Sequence, residues 1–152
     1  MNIKMYIVIS HKGTELEKQT IHDIDNVPEI KEFDVKIYKE EMYPWIDDIE
    51  DATIKNSYFR KVVSTGPNLQ VVYMSIEKEI GEEIHDDTDQ FIRVESGRGK
   101  VILDDKSYLI KDGMAFHVHQ GVKHNVINLG KDPLKLYTIY SPPHHLKGII
   151  EP

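Results

Sequence analysis

Gly81-Glu-Glu-Ile-His85-Asp-Asp87-Thr-Asp-Gln90-Phe-Ile-Arg-Val-Glu-Ser-Gly97 and, farther along, Gly113-Met-Ala-Phe-His117-Val-His119-Gln-Gly121-Val-Lys-His124-Asn-Val-Ile-Asn128 decide how this chain is read. Fifteen residues, Arg98 to Asp112, separate the two stretches. His85 and Asp87 are two apart, so on a strand both side chains point to one face. Thr88-Asp89 can turn the chain and put Gln90 at the head of the next strand, beside them. Gly121 permits a tight turn before Val122-Lys123-His124, which feeds a strand of its own. Donors converging from adjacent strands at the mouth of a barrel are what a metal centre requires. A solvated acidic edge made of Glu82, Glu83, Asp86, Asp87 and Asp89 explains the first stretch equally well from local sequence alone.

Outward from these stretches the chain is β-rich from Tyr58 onward. Leu69–Ile76, Gln90–Val94, Lys100–Leu103, Ser107–Ile110, Ala115–Val118, Asn125–Leu129 and Leu134–Tyr140 are short apolar or alternating runs. Thr65-Gly-Pro-Asn68, Ser96-Gly97, Asp104-Asp105, Lys111-Asp-Gly113, Gly121, Gly130 and Pro133 punctuate them. Short strands with turn signals about every 8–12 residues indicate an all-β sandwich or barrel. No helical pattern alternates with the strands, so an antiparallel jelly roll is expected rather than a parallel α/β sheet.

Before Tyr43-Pro44-Trp45 the texture differs. Tyr6–Ile9 and Val35–Tyr38 resemble short strands, and Thr14-Glu-Leu-Glu17 fits a capping box opening a short helix. These read as an N-terminal arm, residues 1–43, ahead of a barrel domain over residues 44–152. Asp48–Asn56 is expected to be a short helix with Ile46 and Ile49 as its buried side.

Composition excludes several classes. The chain has 152 residues and a formal charge of −7, from 26 acidic and 19 basic side chains. Its lysines and arginines are scattered, so no nucleic-acid footprint is expected. No run approaches the ~20 apolar residues of a membrane span, and Met1–Ser10 lacks the pattern of a signal peptide. A cytoplasmic address is the resulting expectation. Cysteine is absent, which removes disulfides, thiolate ligands and a thiol nucleophile together.

The two stretches match, with substitutions, the signature motifs of the cupin superfamily. Residues 43–143 also resemble a subgroup of small single-barrel cupins often labelled mannose-6-phosphate-isomerase-like. Phe59-Arg-Lys-Val-Val63, Ile80-Gly-Glu-Glu-Ile-His85, Arg93-Val-Glu-Ser-Gly97, His124-Asn-Val-Ile-Asn128 and Pro133-Leu-Lys-Leu-Tyr-Thr-Ile-Tyr-Ser-Pro-Pro143 carry that resemblance. It implies an all-β double-stranded β-helix, the cupin jelly-roll barrel; the short N-terminal α/β arm read from the local pattern lies outside the resemblance.

The resemblance also implies a ligand set. In the first motif the ligand positions align with His85, Asp87 and Gln90, and in the second with His124. Asn128 falls where the family closes its strand, and His119 replaces the usual proline. The implied cofactor is one divalent transition metal: imidazole and oxygen ligands suit Fe, Mn, Ni, Co or Zn. The implied activity is that of a metal-dependent small-molecule enzyme, of isomerase, epimerase or lyase type or an Fe-dependent oxygenase. The alternatives are a non-catalytic barrel binding a sugar or other metabolite, and a structural barrel without metal. Asp87, if it is not a ligand, is the candidate general base, and Arg93, Tyr73, Tyr137 and His119 are candidate pocket residues. The expected partners are a small polar molecule and a second copy of the chain in a homodimer, with no nucleic acid or membrane.

Overall fold

The computed structural model describes residues 45–152. The expected arm, with its strands at 6–9 and 35–38 and its helix at Thr14, lies outside the described residues.

Helix α1 (Ile49–Lys55) begins where Asp48 accepts the Asp51 backbone N–H at 3.1 Å. Glu50 and Asp51 in its first turn and Lys55 in its last complement the helix dipole. Asn56 ends it, with its N–H bonded to the carbonyls of Ala52 and Thr53. The buried side keeps Ile49 of the expected pair but not Ile46. Ile46 precedes the cap, off the helical ladder, and is 59% exposed. Ile49, Ala52, Thr53 and Asn56 follow the three-to-four spacing and turn inward, Thr53 completely.

Among the described residues nine strands follow: β1 (Arg60–Thr65), β2 (Gln70–Ile76), β3 (Asp89–Ser96), β4 (Arg98–Leu103), β5 (Lys106–Lys111), β6 (Ala115–Val118), β7 (His124–Asn128), β8 (Leu134–Ser141) and β9 (Ile150–Glu151). All seven expected strands form, each within two residues of its expected bounds. β1 and β9 are additional: β1 opens on two charged residues, and β9 is only two residues long. One sheet runs β6-β3-β8-β2-β1-β9 and the other β5-β4-β7, with every pairing antiparallel. The architecture is the expected all-β jelly-roll barrel. Among the described residues no helix is long and apolar enough to cross a membrane.

Strand parity builds the core. Val72, Met74 and Ile76 of β2, Ile92 and Val94 of β3, and Leu134, Leu136 and Tyr140 of β8 point into the barrel. Val101, Ile110 and Val126 meet them from the smaller sheet. β2 is buried on both faces because α1 lies against the outer side of β2, β3 and β8. Gly99 allows β4 and β7 to run close within the smaller sheet, since a Cβ there would meet the Ile127 carbonyl oxygen at 2.5 Å; Leu134 of the larger sheet would lie 3.0 Å from it. Asn128 closes its strand through its side-chain amide, which donates to the carbonyls of Glu77 at 3.0 Å and Asp132 at 2.9 Å.

Candidate metal centre

The segment between β2 and β3 runs beside β7 and bridges to it at two points, Glu79 with Ile127 and Glu83 with His124. Glu83 and His124 exchange backbone hydrogen bonds, each 2.9 Å, so their side chains stand opposite each other. His85, two residues on, presents its ring on the same side. The Gly121 N–H donates to the His85 carbonyl at 2.7 Å, which ties the β6–β7 turn to this segment. Gly121 itself takes φ +80°, a left-handed conformation suited to glycine.

Glu83, His85 and His124 each offer one ligand atom, and these atoms lie within 4.8 Å of one another. Glu83 Oε2 is 3.4 Å from His85 Nε2 and 4.0 Å from His124 Nε2. Three donors each ~2.1 Å from one ion, at tetrahedral angles, would lie about 3.4 Å apart. The other oxygen, Oε1, accepts from Arg60 at 3.3 Å, so the carboxylate is held with Oε2 turned to the imidazoles. Arg60 is also paired with Glu151.

The protonation pattern favours a cation. His124 Nδ1 is 3.0 Å from the Val122 carbonyl, which can only accept, so Nδ1 carries the hydrogen. Nε2 is then a bare lone pair. Burial lowers the His124 pKa and keeps the ring neutral. The Nε2 atoms of both His85 and His124 are buried without an aligned hydrogen-bond partner. Burial alone would raise the pKa of Glu83; His85, Arg60 and His124 together outweigh it, so the carboxyl titrates below its ordinary range. A neutral lone pair thus faces the oxygen of a half-buried carboxylate. Two acceptors so placed are stabilised by a cation that both can ligate. The donor set fits a divalent transition ion.

A second set of groups adjoins this triad. Buried Gln70 clamps the tail after β8: its Oε1 accepts from the His145 N–H at 2.9 Å, and its Nε2 donates to the His145 carbonyl at 2.8 Å. Thr88 donates to the Pro142 carbonyl at 2.6 Å. These contacts bring the His144 ring to 4.3 Å from that of His85, centroid to centroid. His144 Nδ1 lies 3.2 Å from Asp87 Oδ1. Tyr140 packs edge-on against His85, and burial pushes its hydroxyl pKa far up, so it remains protonated. Gln90, 3% exposed, lines the narrow barrel interior with Glu83, Ile92 and Tyr140.

The structure brings His85 and His124 together and puts Gln90 in the adjoining cavity. It does not bring Asp87 to them. The Asp87 side chain is 70% exposed and faces His144, while Glu83 takes the carboxylate position. Glu83, His85 and Asp87 share one parity, so alternation alone cannot choose between the two carboxylates. The pairing of Glu83 with His124 does. Tyr73, Arg93 and Tyr137 are corrected as pocket residues. They alternate with the inward-facing Met74, Ile92 and Leu136, which puts them on the outer face of the larger sheet. The Tyr73 hydroxyl there donates to Asp47 at 3.0 Å. His119 is likewise outside the pocket, exposed beside His117. Glu83, Gln70 and His144 were missed as site residues. Parity pointed to the first, whereas the clamp on the tail exists only in three dimensions.

Comparison with known proteins places this arrangement. The family model described as "Cupin domain" matches residues 71–140. The uncharacterized protein YrkC of Bacillus subtilis is 44% identical over 115 residues, covering 70% of this chain. That match spans 62% of the length of YrkC. The uncharacterized protein L612 of Acanthamoeba polyphaga mimivirus is 38% identical over 113 residues, covering 70% of this chain and 71% of its own. The crystal structure of BH2720 from Bacillus halodurans superposes with a TM-score of 0.70 at 42% identity, over 74% of this chain and 91% of that one.

Proposed function

This chain belongs to the cupin family, and within it we propose that the protein is a metal-dependent enzyme acting on a small polar molecule. One observation carries the proposal: the buried Nε2 atoms of His85 and His124, without an aligned hydrogen bond, face Oε2 of the half-buried Glu83 carboxylate. Glu83, His85 and His124 hold the ion, the two-histidine, one-carboxylate set that suits Fe, Mn, Ni, Co or Zn. A bound ion of this kind supplies Lewis-acid polarisation of a substrate carbonyl or enediolate, the need common to isomerases, epimerases and lyases.

The remaining roles belong to the chain's own side chains. His144 is the proton carrier: Asp87 holds its Nδ1–H, which leaves Nε2 to take or return a proton. Asp87 therefore orients the base instead of serving as one. Gln70 positions His144 through the backbone of the tail. The protonated Tyr140 hydroxyl and the neutral Gln90 amide offer hydrogen bonds to a polar substrate without adding charge. The apolar wall of Met74, Ile76, Ile92 and Val126 keeps water from the inner side.

A second reading, a metabolite-binding barrel without turnover, is favoured by one observation. Gln90 puts a neutral amide where a third charged group would otherwise reach the cavity. The two readings separate by solvent exchange. Metal-loaded protein is incubated in D2O with a panel of small hydroxy-aldehydes and hydroxy-ketones, and deuterium uptake next to the carbonyl is followed by NMR. The enzyme reading expects uptake that His144→Gln abolishes while metal content holds. Saturable ligand binding with no uptake would transfer the assignment to the binding reading.

A further inference from the structure

A separate cluster of metal-ligating side chains lies on the outer face of the larger sheet, at its β6 edge. We propose that Asp89, His117 and His119 form a second site for a divalent transition ion of the Zn2+ or Cu2+ class.

The placement follows from register. Gln90 pairs with Val118 and Phe91 with His117, so Asp89, one step before Gln90, comes opposite His119. Gln90 and Val118 point into the barrel and are buried, so Asp89, His117 and His119 all point outward. Backbone pairing thus brings two imidazoles and one carboxylate to a single patch from two adjacent strands. Their ligand atoms lie within 4.8 Å of one another. His117 Nε2 is 3.6 Å from Asp89 Oδ2, and the two imidazole rings are 4.0 Å apart, centroid to centroid. As at the first centre, this spacing is near the ~3.4 Å expected of donors sharing one small ion.

The carboxylate is already oriented for this task. Asp89 Oδ1 accepts the Gln120 backbone N–H at 2.7 Å, which leaves Oδ2 turned toward His117. The Gln120 side chain is anchored in turn on the Asp86 carbonyl. A fixed carboxylate loses less freedom on binding an ion than a mobile one. Two imidazoles and one oxygen, without sulfur, match Zn2+ and Cu2+, and Cu2+ binds the more tightly of the two. Three protein ligands leave at least one position for water or an external donor. Because Asp89 belongs to β3 and both histidines to the β6 side, a bound ion would clip the edge strand to its neighbour.

Zinc stoichiometry tests the site on the full chain. Protein freed of metal by a chelator is titrated with ZnCl2 in a calorimeter, alongside His85→Ala, the double variant His117→Ala/His119→Ala, and Asp89→Asn. All three outer residues are at least partly exposed, and the amide oxygen introduced by Asp89→Asn can still accept from Gln120, so these variants keep the fold; circular dichroism checks this. The expected result is two equivalents for wild type, one for His85→Ala and one for the double variant. Asp89→Asn should weaken the second equivalent at least tenfold. One equivalent in wild type, lost in His85→Ala, would overturn the proposal, as would a second equivalent that survives the double variant. Binding only at millimolar Zn2+ would also overturn it, marking an ordinary surface histidine pair. If the inner centre binds nothing, one wild-type equivalent that vanishes in the double variant still supports the outer site.

Discussion

Replacing Glu83 with Gln separates the two carboxylates that the local pattern cannot distinguish. The variant keeps the shape and keeps an oxygen for Arg60, which now approaches Oε1 at 3.3 Å. The apo fold should therefore lose only about 1 kcal/mol, the difference between a charged and a neutral acceptor. The ion loses its one anionic ligand. Removing groups that merely orient ligands costs 10–100-fold in affinity, so losing a ligand should cost at least about 100-fold. Thermal unfolding reads this directly. At an ion concentration of about 100 Kd the wild type gains ~2.7 kcal/mol, and a variant with 100-fold weaker binding gains only about 0.4 kcal/mol. On a His117→Ala/His119→Ala background, which removes the outer site, and at roughly 3–4 °C per kcal/mol for a chain of this size, metal should raise the Tm by about 8–10 °C, and by about 1–2 °C once Glu83→Gln is added. Asp87→Asn is the control. Its exposed side chain lies outside the triad, so its metal-induced shift should equal that of wild type. A full shift in Glu83→Gln together with a lost shift in Asp87→Asn would refute the assignment of the carboxylate.

Gln70→Leu should release the His144–His145 tail while leaving the metal triad intact. Metal content is then unchanged but deuterium exchange falls at least tenfold; equal losses of both would show that Gln70 acts through the barrel and not the tail. Gly99→Ala should destabilise the protein by about 1–3 kcal/mol, because its Cβ would sit 2.5 Å from the Ile127 carbonyl oxygen. An unchanged Tm would contradict the close approach of β7 to β4 at this position. Burial lowers the pKa of His145 to about 4 and also depresses that of His124. The unfolded chain therefore takes up these protons first as pH falls, and stability of the apo protein is lost progressively between pH 6.5 and about 4. The shift at His145 alone corresponds to ~3 kcal/mol, reduced to about 1 kcal/mol because the residue is only partly buried and solvent screens it. His145→Asn should flatten the decline of Tm over that window by this amount, and an identical pH profile would remove His145 from the account.

Strand runs and their turns were legible because alternation and punctuation are local properties. The seven expected strands needed nothing beyond neighbouring residues. β1 and β9 were not legible, since Arg60 is buried by its ion pairs with Glu83 and Glu151, which no local pattern records. At the site, His85 and His124 were readable from motif spacing. The carboxylate was not: Glu83 and Asp87 flank His85 symmetrically, and only the antiparallel bridge to His124 breaks the tie. Parity also misled where its phase was unknown. Tyr73, Arg93 and Tyr137 belong to strands with an inward face, but the inward set is Met74, Ile92 and Leu136. The position of His144 depends on the Gln70 clamp, 74 residues away in sequence.

Anomalous diffraction from a crystal of the full chain loaded with Mn2+ or Zn2+, recorded at the metal's absorption edge, tests the central claim most directly. A peak bounded by Glu83 Oε2, His85 Nε2 and His124 Nε2, each about 2.0–2.3 Å away, is the predicted result. A metal-loaded crystal whose anomalous peak lies between Asp87 and His144, or one with no peak among the three named atoms, would contradict it.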